Sequence, residues 1–284
     1  MKKSTKTLLV GLLVAPLAFT MVGCNGGEVS IVDTKGNYTE ATLSNYAGAS
    51  EVLNNETISE DFNSYRMIMN IDMNMTVSMS GMGEYKGGMK ISNDSTINLL
   101  DGFDMKSVSK IKYIGYLADM QKEMEMPVQQ TFEQYYSNGQ GYIWDDEYNQ
   151  WFEGDVQDAD DQPVFDFSGL FEGTTELEQE GINVWIDSNE ETGVTKIKMT
   201  MAAGVLEAFA SENGEGFEEG AEITWGTAEV YYVLTNGKLE GMKVSIPYSV
   251  STNESGVEVS ADCKVTMQVA KTDAVVEFPE GMGA

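Results

Sequence analysis

The chain has 284 residues, with 17 lysines and arginines, 46 aspartates and glutamates, and a net charge of −29. This acidic balance argues against nucleic acid as a partner, because nucleic-acid binding needs basic patches. It also argues against attachment to an anionic membrane by charge. The chain has no histidine, which excludes Ser–His–Asp triads, Cys–His pairs and histidine zinc sites.

The first residues have the pattern of an export signal that ends at a cysteine. Three lysines precede an apolar stretch at 8–19, which is too short to cross a bilayer comfortably. The run Met21-Val22-Gly23-Cys24 then resembles the lipobox of bacterial lipoproteins. The resemblance implies that residues 1–23 are removed as a signal peptide and that the Cys24 thiol carries a diacylglycerol. The alternative is an ordinary secretory signal with an incidental cysteine.

A lipidated Cys24 predicts a mature chain anchored on the extracytoplasmic face of the cell membrane. Loss of the three signal lysines takes the net charge from −29 to −32, so the predicted membrane contact comes from acyl chains. Cys263 is then the remaining cysteine, which leaves no intramolecular disulfide. Because it lies in an alternating apolar pattern at 257–269, we expect a buried small side chain rather than a reactive thiol.

The mature chain divides into a tether and one domain. Residues 24–41 are rich in glycine and polar residues, as in a flexible linker. A short helix is predicted at 43–53, where apolar residues fall broadly on one side. After the tether the sequence shows no internal repeat and no shift in amino-acid composition. Residues 42–284 are therefore predicted to form a single β-rich domain.

The clearest pattern in the chain lies at 67–79. Every odd position is apolar and the even positions are mostly polar, which predicts a long strand with one dry face. Further strands are predicted at 84–99, 103–117 and 194–201. Asn138-Gly139 and Asn236-Gly237 sit between strand-like runs and predict hairpins.

Helical signals are few. Short helices are predicted at Val164–Phe171 and Ala202–Ala210. The predicted fold is therefore mainly β: a strongly curved antiparallel sheet, an incomplete barrel, whose concave apolar face is covered by short helices.

Catalytic and metal-binding chemistry have weak support. Paired carboxylates can act as in glycosidases, but among 46 acidic residues chance pairs are plentiful. Acidic loops at 145–147 and 155–161 lack the spacing of a calcium-binding EF-hand loop. We therefore expect no catalytic residues, no cofactor and no metal site, and leave calcium binding by these loops open.

The 18 methionines are the most distinctive side chains. Strands usually fill their dry faces with β-branched and aromatic residues, whereas methionine suits apolar surfaces that adapt to varied partners. Two interpretations stay open, a solid core under the helices and a cavity for a ligand with acyl chains. The residues predicted to line such a cavity are Met67, Met69, Ile71, Met73, Met75, Val77, Met79, Met199 and Met201.

The order of elements resembles a known group. A lipobox and tether are followed by Met-rich strands, the run Tyr135-Tyr136-Ser137-Asn138-Gly139-Gln140-Gly141-Tyr142-Ile143-Trp144, a strand entering a short helix near 201–209, and a closing Val275-Val276-Glu277-Phe278-Pro279. Over about residues 42–282 this is similar to the LolA/LolB-like bacterial lipoproteins, which include the LppX/LprG-type lipid carriers, and most similar to members from Gram-positive bacteria. The resemblance implies an incomplete β barrel that encloses an apolar cavity, with no fixed polar ligand motif.

The sequence thus predicts a non-enzymatic, membrane-anchored lipoprotein that binds or carries a hydrophobic or acyl ligand. The competing hypothesis is an envelope interaction or scaffold module with a filled core, whose partner is a protein or the cell wall. No nucleic acid is expected in either case.

Overall fold

The computed structural model describes residues 30–42, 45–46, 63–81, 83–99, 103–137, 140–145, 150–154, 180–212, 221–254, 257–279 and 282. Within these ranges the chain is mainly β, as predicted. The strands are β1 (Thr39–Glu40), β2 (Ser64–Met79), β3 (Gly83–Asn98), β4 (Asp104–Gly115), β5 (Gln129–Ser137), β6 (Gln140–Asp145), β7 (Gln150–Gly154), β8 (Ile182–Asn189), β9 (Val194–Met201), β10 (Ala221–Trp225), β11 (Ala228–Thr235), β12 (Lys238–Glu254) and β13 (Val257–Lys271).

All thirteen strands belong to one antiparallel sheet that does not close into a barrel. Its order is β1-β8-β9-β11-β12-β13-β2-β3-β4-β5-β6-β7, and β10 pairs with the far half of β12. Sequential hairpins account for most neighbours. The exception at the centre is the pairing of β2 with β13, which joins the two ends of the domain.

Strand β2 organises the two faces of the sheet. It pairs over its whole length with β3 on one side, from Ser64↔Asn98 to Met79↔Gly83, and with β13 on the other. Because side chains alternate along a strand, its odd positions share one face, here termed the covered face, and the even positions lie on the opposite face. The covered face of β2 is buried at Met67, Met69, Ile71, Met73, Met75 and Val77.

Two described helices follow strands directly. Helix α1 (Tyr116–Glu123) begins after Gly115, which adopts a positive φ of 57°, and its Leu117 lies against Gly87 on the covered face. The sequence analysis continued a strand to 117 and missed this helix. Helix α2 (Ala203–Glu212) confirms the helix predicted at Ala202–Ala210. Of the helix predicted at 43–53 the structure describes Asn45 and Tyr46, both helical, and the one predicted at Val164–Phe171 lies outside the described residues.

The predicted hairpins are present as strand pairs. β11 and β12 meet at Asn236 and Gly237, both with positive φ, as a two-residue hairpin turn requires. β5 and β6 pair up to Ser137↔Gln140 on either side of the predicted Asn138-Gly139 turn.

Residues 30–41, which the sequence analysis assigned to a flexible tether, are bound to the sheet; we term them the N-terminal strap. The Ile31 amide and the Ser30 hydroxyl both donate to Gln268 Oε1, at 3.1 and 3.3 Å. Lys196 Nζ lies 2.6 Å from Asp33 Oδ2 and donates to the Lys35 carbonyl. The strap therefore crosses the opposite face.

The strap then passes the edge of the sheet. The Asn37 amide donates to Asp187 Oδ2 at 3.1 Å, and β1 pairs with β8. Tyr46 comes next and is buried among covered-face residues. The chain thus wraps around the β8 edge from the opposite face to the covered face.

A second segment, residues 272–279, crosses the opposite face over β3 and β5. Asn98 Nδ2 donates to the Ala274 carbonyl at 3.0 Å, and the Val276 amide donates to Asn98 Oδ1 at 2.7 Å. Val276 is buried with Tyr135 and Tyr142. The aromatic hairpin named in the sequence analysis is therefore packed partly against the C-terminal segment.

The pairing of β2 with β3 can be tested at Gly88. A Cβ at Gly88 would collide with the backbone carbonyl oxygen of Met73, so we expect Gly88→Ala to lower the free energy of unfolding by about 1–3 kcal/mol, as overpacking does. Urea denaturation measures this change. Gly204→Ala is the control, because open space surrounds Gly204 in α2 and the change should stabilise by about 0.5–1 kcal/mol. A Gly88→Ala protein as stable as the parent would contradict this register.

Candidate functional site

The covered face of β2 and β9 holds all nine residues predicted to line a ligand cavity. Eight of them are buried, with exposed fractions of 9% or less, and Met79 at the end of β2 is half-buried. The strand register explains why these side chains share one face. Met73 lies opposite Met89 of β3 and Cys263 of β13, and every second residue along these strands is paired on the same face in the same way.

These residues divide between two apolar clusters. The first cluster brings Met67 together with Met199 and Met201, around the buried Tyr46 and Tyr232. The second cluster contains Ile71, Met73, Met75 and Val77, with Met79 packed against it. Met69 is buried but belongs to neither cluster. The predicted lining residues therefore do not form one continuous wall.

A polar network separates the two clusters on the same face. Asn93 and Ser95 of β3 lie in register with Ser109 and Ser107 of β4, and all four side chains are buried. Asn93 Nδ2 donates to Ser107 Oγ at 2.6 Å and to Ser109 Oγ at 3.4 Å. Ser95 Oγ donates to Asn93 Oδ1 at 2.6 Å. We term these four residues the polar strip.

The sequence analysis did not find the polar strip, although a signal was present. The apolar positions of β3 are odd, and Asn93 and Ser95 interrupt that series between Ile91 and Ile97. Two serines interrupt the odd series of β4 in the same way. Polar residues in phase on the dry faces of adjacent predicted strands indicate a buried hydrogen-bonded group, because unpaired buried polar atoms are costly.

Beyond the polar strip the covered face stays apolar but becomes exposed. Phe132 lies opposite Ser109, and Ile143 lies opposite both Gln134 and Phe152. Their exposed fractions are 37% for Phe132, 40% for Ile143 and 41% for Phe152. We term these three residues the edge patch. It places large apolar side chains on the β5, β6 and β7 side of the described sheet.

An open depression lies at the far end of β2, away from the polar strip. The described residues that line it are Ser78, Met79, Ser80, Gly81, Gly83, Glu84, Asn253 and Glu258. Within this described set, Met79 is the one residue that was predicted to line a ligand cavity. Glu84 and Glu258 lie beside Met79 in this lining, and the other eight predicted lining residues lie elsewhere, so it does not match the predicted acyl-binding wall.

Cys263 lies on the covered face of β13, opposite Tyr248 of β12. It is buried and makes no disulfide, as the sequence analysis expected for a small apolar side chain. Burial raises the pKa of the Cys263 thiol to about 11. Burial also raises the pKa of the adjacent Tyr248 hydroxyl.

Other sequence predictions bear on parts that the structure does not describe. Cys24 and the acidic loop at 155–161 lie outside the described residues, and so do the side chains at 145–147. Within the part of the chain that is described, no three acidic or cysteine side chains come together as metal ligands. No helix in that same part is long and apolar enough to span a bilayer.

Comparison with known proteins gives loose structural likenesses and no sequence match. No protein-family model and no curated protein matches the chain. LprF from Mycobacterium bovis aligns over 86% of this chain and 100% of its own, at 12% identity and a TM-score of 0.33. A lipovitellin structure solved for its lipid–protein interactions aligns over 77% of this chain and 26% of its own, at 9% identity and a TM-score of 0.27.

The attachment invasion locus protein Ail of Yersinia pestis aligns over 73% of this chain and 99% of its own, at 9% identity and a TM-score of 0.18. At identities of 9–12% and TM-scores of 0.18–0.33, these likenesses show neither a family nor a function for this chain. A function for this chain has to come from its own residues.

The thiol of Cys263 gives a direct test of how tightly the covered face is closed. In a chain of residues 25–284, where it is the sole cysteine, we expect reaction with an aromatic disulfide at pH 8 to be at least about 100-fold slower than in urea, because the thiolate is the nucleophile. The rate should rise with pH without a plateau below about 11.

The same shift predicts the pH dependence of stability. Because the folded pKa of about 11 lies above the unfolded value, the stability contributed by the neutral thiol is full below about pH 8.5 and is lost as the pH rises towards 11. Cys263→Ala removes this part of the pH dependence. A fast native reaction at pH 8 would show that this face is open to solvent at β13.

Proposed function

We propose that the chain is a membrane-anchored extracytoplasmic lipoprotein, attached through Cys24, that binds a hydrophobic or acyl-bearing ligand on the covered face without catalysis. The observation that carries the ligand proposal is the edge patch. Three large apolar side chains left about two-fifths exposed at one end of the covered face offer an acyl chain a surface that water solvates poorly.

The polar strip supports a ligand with both apolar and polar parts. It adjoins the edge patch through the Ser109↔Phe132 register. Among the hydrogen bonds of the described residues, the Ser109 hydroxyl accepts only the long 3.4 Å bond from Asn93. The Ser109 side chain is fully buried, so a ligand whose acyl chains lie on Phe132 and Ile143 would have to displace the cover over Ser109 before a carbonyl or ester oxygen accepts from this hydroxyl.

Met69 connects these features to the predicted lining residues. It lies directly opposite Asn93 across the β2–β3 pair and opposite Met267 of the first cluster across the β2–β13 pair. A flexible thioether side chain at this position suits a variable ligand surface. We therefore place the inner end of the ligand at Met69 rather than along the whole of β2.

A specific observation also favours the competing function. Ile71, Met73, Met75 and Val77 are buried in the second cluster, as expected of a filled core. If the first cluster and Met69 are filled in the same way, the chain is an envelope interaction module without a small ligand. The two functions differ in what the purified protein carries.

Native mass spectrometry and organic extraction of the mature protein test the ligand directly. We expect co-purified acyl species in the parent protein. Met69→Trp should remove them, since the larger side chain fills the inner end, while changing the free energy of unfolding by less than about 1 kcal/mol. Met73→Trp is the matched control in a packed cluster and should cost about 1–3 kcal/mol.

The competing function gives the reverse result. A parent protein free of acyl species, with Met69→Trp as destabilising as Met73→Trp, would mean that the covered face is a filled core.

Lipid attachment at Cys24 is tested separately. Expressed in a bacterial host with a labelled fatty acid, the parent chain should carry the label and partition with membranes. Cys24→Ser should lose both the label and the membrane association, because a second acyl chain is what makes anchoring stable. Cys263→Ala should keep both. Label on Cys24→Ser would rule out this anchor.

A further inference from the structure

The opposite face of the sheet gathers the cationic side chains of a strongly acidic chain. In the described strands, alternation and register place eleven lysines and arginines on this face. They are Arg66, Lys86, Lys90, Lys106, Lys110, Lys112, Lys196, Lys198, Lys238, Lys243 and Lys264. The net charge of −29 therefore does not show how unevenly the cationic side chains are distributed between the two faces.

Most of these cations have a carboxylate partner on the same face. Arg66 makes a two-pronged contact with Asp94, at 2.8 and 2.6 Å. Lys106 pairs with Glu133 and Lys198 with Glu229, both at 2.8 Å. Such pairs contribute little net charge to the surface around them.

One group of four lysines is different, and we term it the lysine patch. Lys264, Asp72, Lys90 and Lys112 form a single row across β13, β2, β3 and β4, and Lys110 lies in the next row. Lys90 pairs with Asp72. Lys110, Lys112 and Lys264 have no ion pair within 4 Å among the described residues.

The lysine patch is therefore locally positive. The neighbouring carboxylate along β13, Asp262, accepts a hydrogen bond from Ser249 Oγ at 2.7 Å. Ile114 follows Lys112 on the same face of β4 and is 38% exposed. An exposed apolar side chain beside unpaired lysines is a typical composition of a surface that meets lipid headgroups.

The position of the N-terminal strap relates this patch to the predicted anchor. The strap starts on the opposite face at Gln268, which is four residues from Lys264 along β13, or about 13 Å. Six residues connect Cys24 to Ser30 and reach at most about 20 Å. An acyl chain on Cys24 would therefore hold the bilayer close to this face and to the lysine patch.

We propose that the lysine patch binds the anionic phospholipid headgroups of the membrane and orients the domain with its opposite face towards the bilayer. At physiological salt, charges farther than about 8 Å are largely screened. A flat membrane therefore responds to the lysines it faces rather than to the net charge. The covered face and its edge patch then point away from the membrane or along it.

The proposed orientation rests on lipid attachment at Cys24. In the experiment that tests it, the lipid is attached to Cys24 chemically. Residues 24–284, which keep the whole described fold, are coupled through Cys24 to a maleimide lipid in vesicles; buried Cys263 does not compete. The vesicles contain phosphatidylcholine alone or with phosphatidylglycerol. Lysines are acetylated with a water-soluble reagent, and the rate at each lysine is read by mass spectrometry.

On the anionic vesicles we expect acetylation of Lys110, Lys112 and Lys264 to slow by about fivefold relative to phosphatidylcholine. Lys122 on α1 should react equally on both. In about 1 M salt, where the screening length falls to about 3 Å, the protection should disappear. Equal rates for the lysine patch on both vesicles would overturn the proposal.

A charge-matched pair of variants isolates the patch from the net charge. Lys112→Glu should weaken the protection of Lys264, whereas Lys122→Glu, with the same change in charge, should leave it unchanged. If instead polyphosphate protects the patch of the uncoupled chain and anionic vesicles do not, the partner is a soluble or wall polyanion and the membrane assignment is wrong. None of these outcomes depends on natural acylation, so they are independent of the Cys24→Ser result.

Discussion

The pairing of β2 with both neighbours along its full length is the constraint on which the other features depend. Since the side-chain period of a strand is two, a slip of one residue would turn every methionine of β2 towards the opposite face and every asparagine towards the covered one. The same register aligns Met69 with Asn93 and Asp72 with Lys90. One hydrogen-bonded ladder thus sets the apolar clusters, the polar strip and the lysine patch together.

The two faces differ in how they are covered. On the covered face, α1 and the helical turn at Tyr46 supply apolar contacts, and the edge patch towards β7 is partly exposed. On the opposite face the covering consists of extended chain, held by single side chains such as Gln268 and Asn98. Polar side chains on this face form hydrogen bonds with the backbone of the segment that crosses it. The segment can therefore pack there although the face is not apolar. In the described part of the chain, neither of these two segments crosses the rows that contain Lys90 and Lys110.

Much of the sheet could be predicted from the sequence because it follows local rules. The alternation at 67–79 and the Asn236-Gly237 turn each depend on a few adjacent residues. Helix α1 was not predicted because its first residues continue the apolar spacing of β4. The strand ends at Gly115, which has a positive φ. The strap at 30–41 was missed because its composition is that of a linker, and its order comes from residues more than a hundred positions away, such as Asp187 and Gln268.

The candidate site was predicted only in part, for a related reason. The methionines were placed on the correct face, but their division into two clusters depends on which strands are neighbours, and this is a property of the whole sheet. The lysine patch could not be inferred from the charge total. A sum over the chain contains no information on which lysines share a row, and Lys264 and Lys90 meet only because β13 pairs with β2.

The place of β13 has a consequence for how the protein is made. It is the last strand in the chain, yet it lies between β12 and β2 in the interior of the sheet, and it carries Gln268, the residue that holds the start of the strap. Neither side of the sheet can join the other until the C-terminal residues have been synthesised. Contacts of such wide separation in sequence form slowly, so the two halves of the sheet stay unjoined until β13 is complete. A premature stop before residue 257 would divide the sheet through its centre instead of trimming its edge.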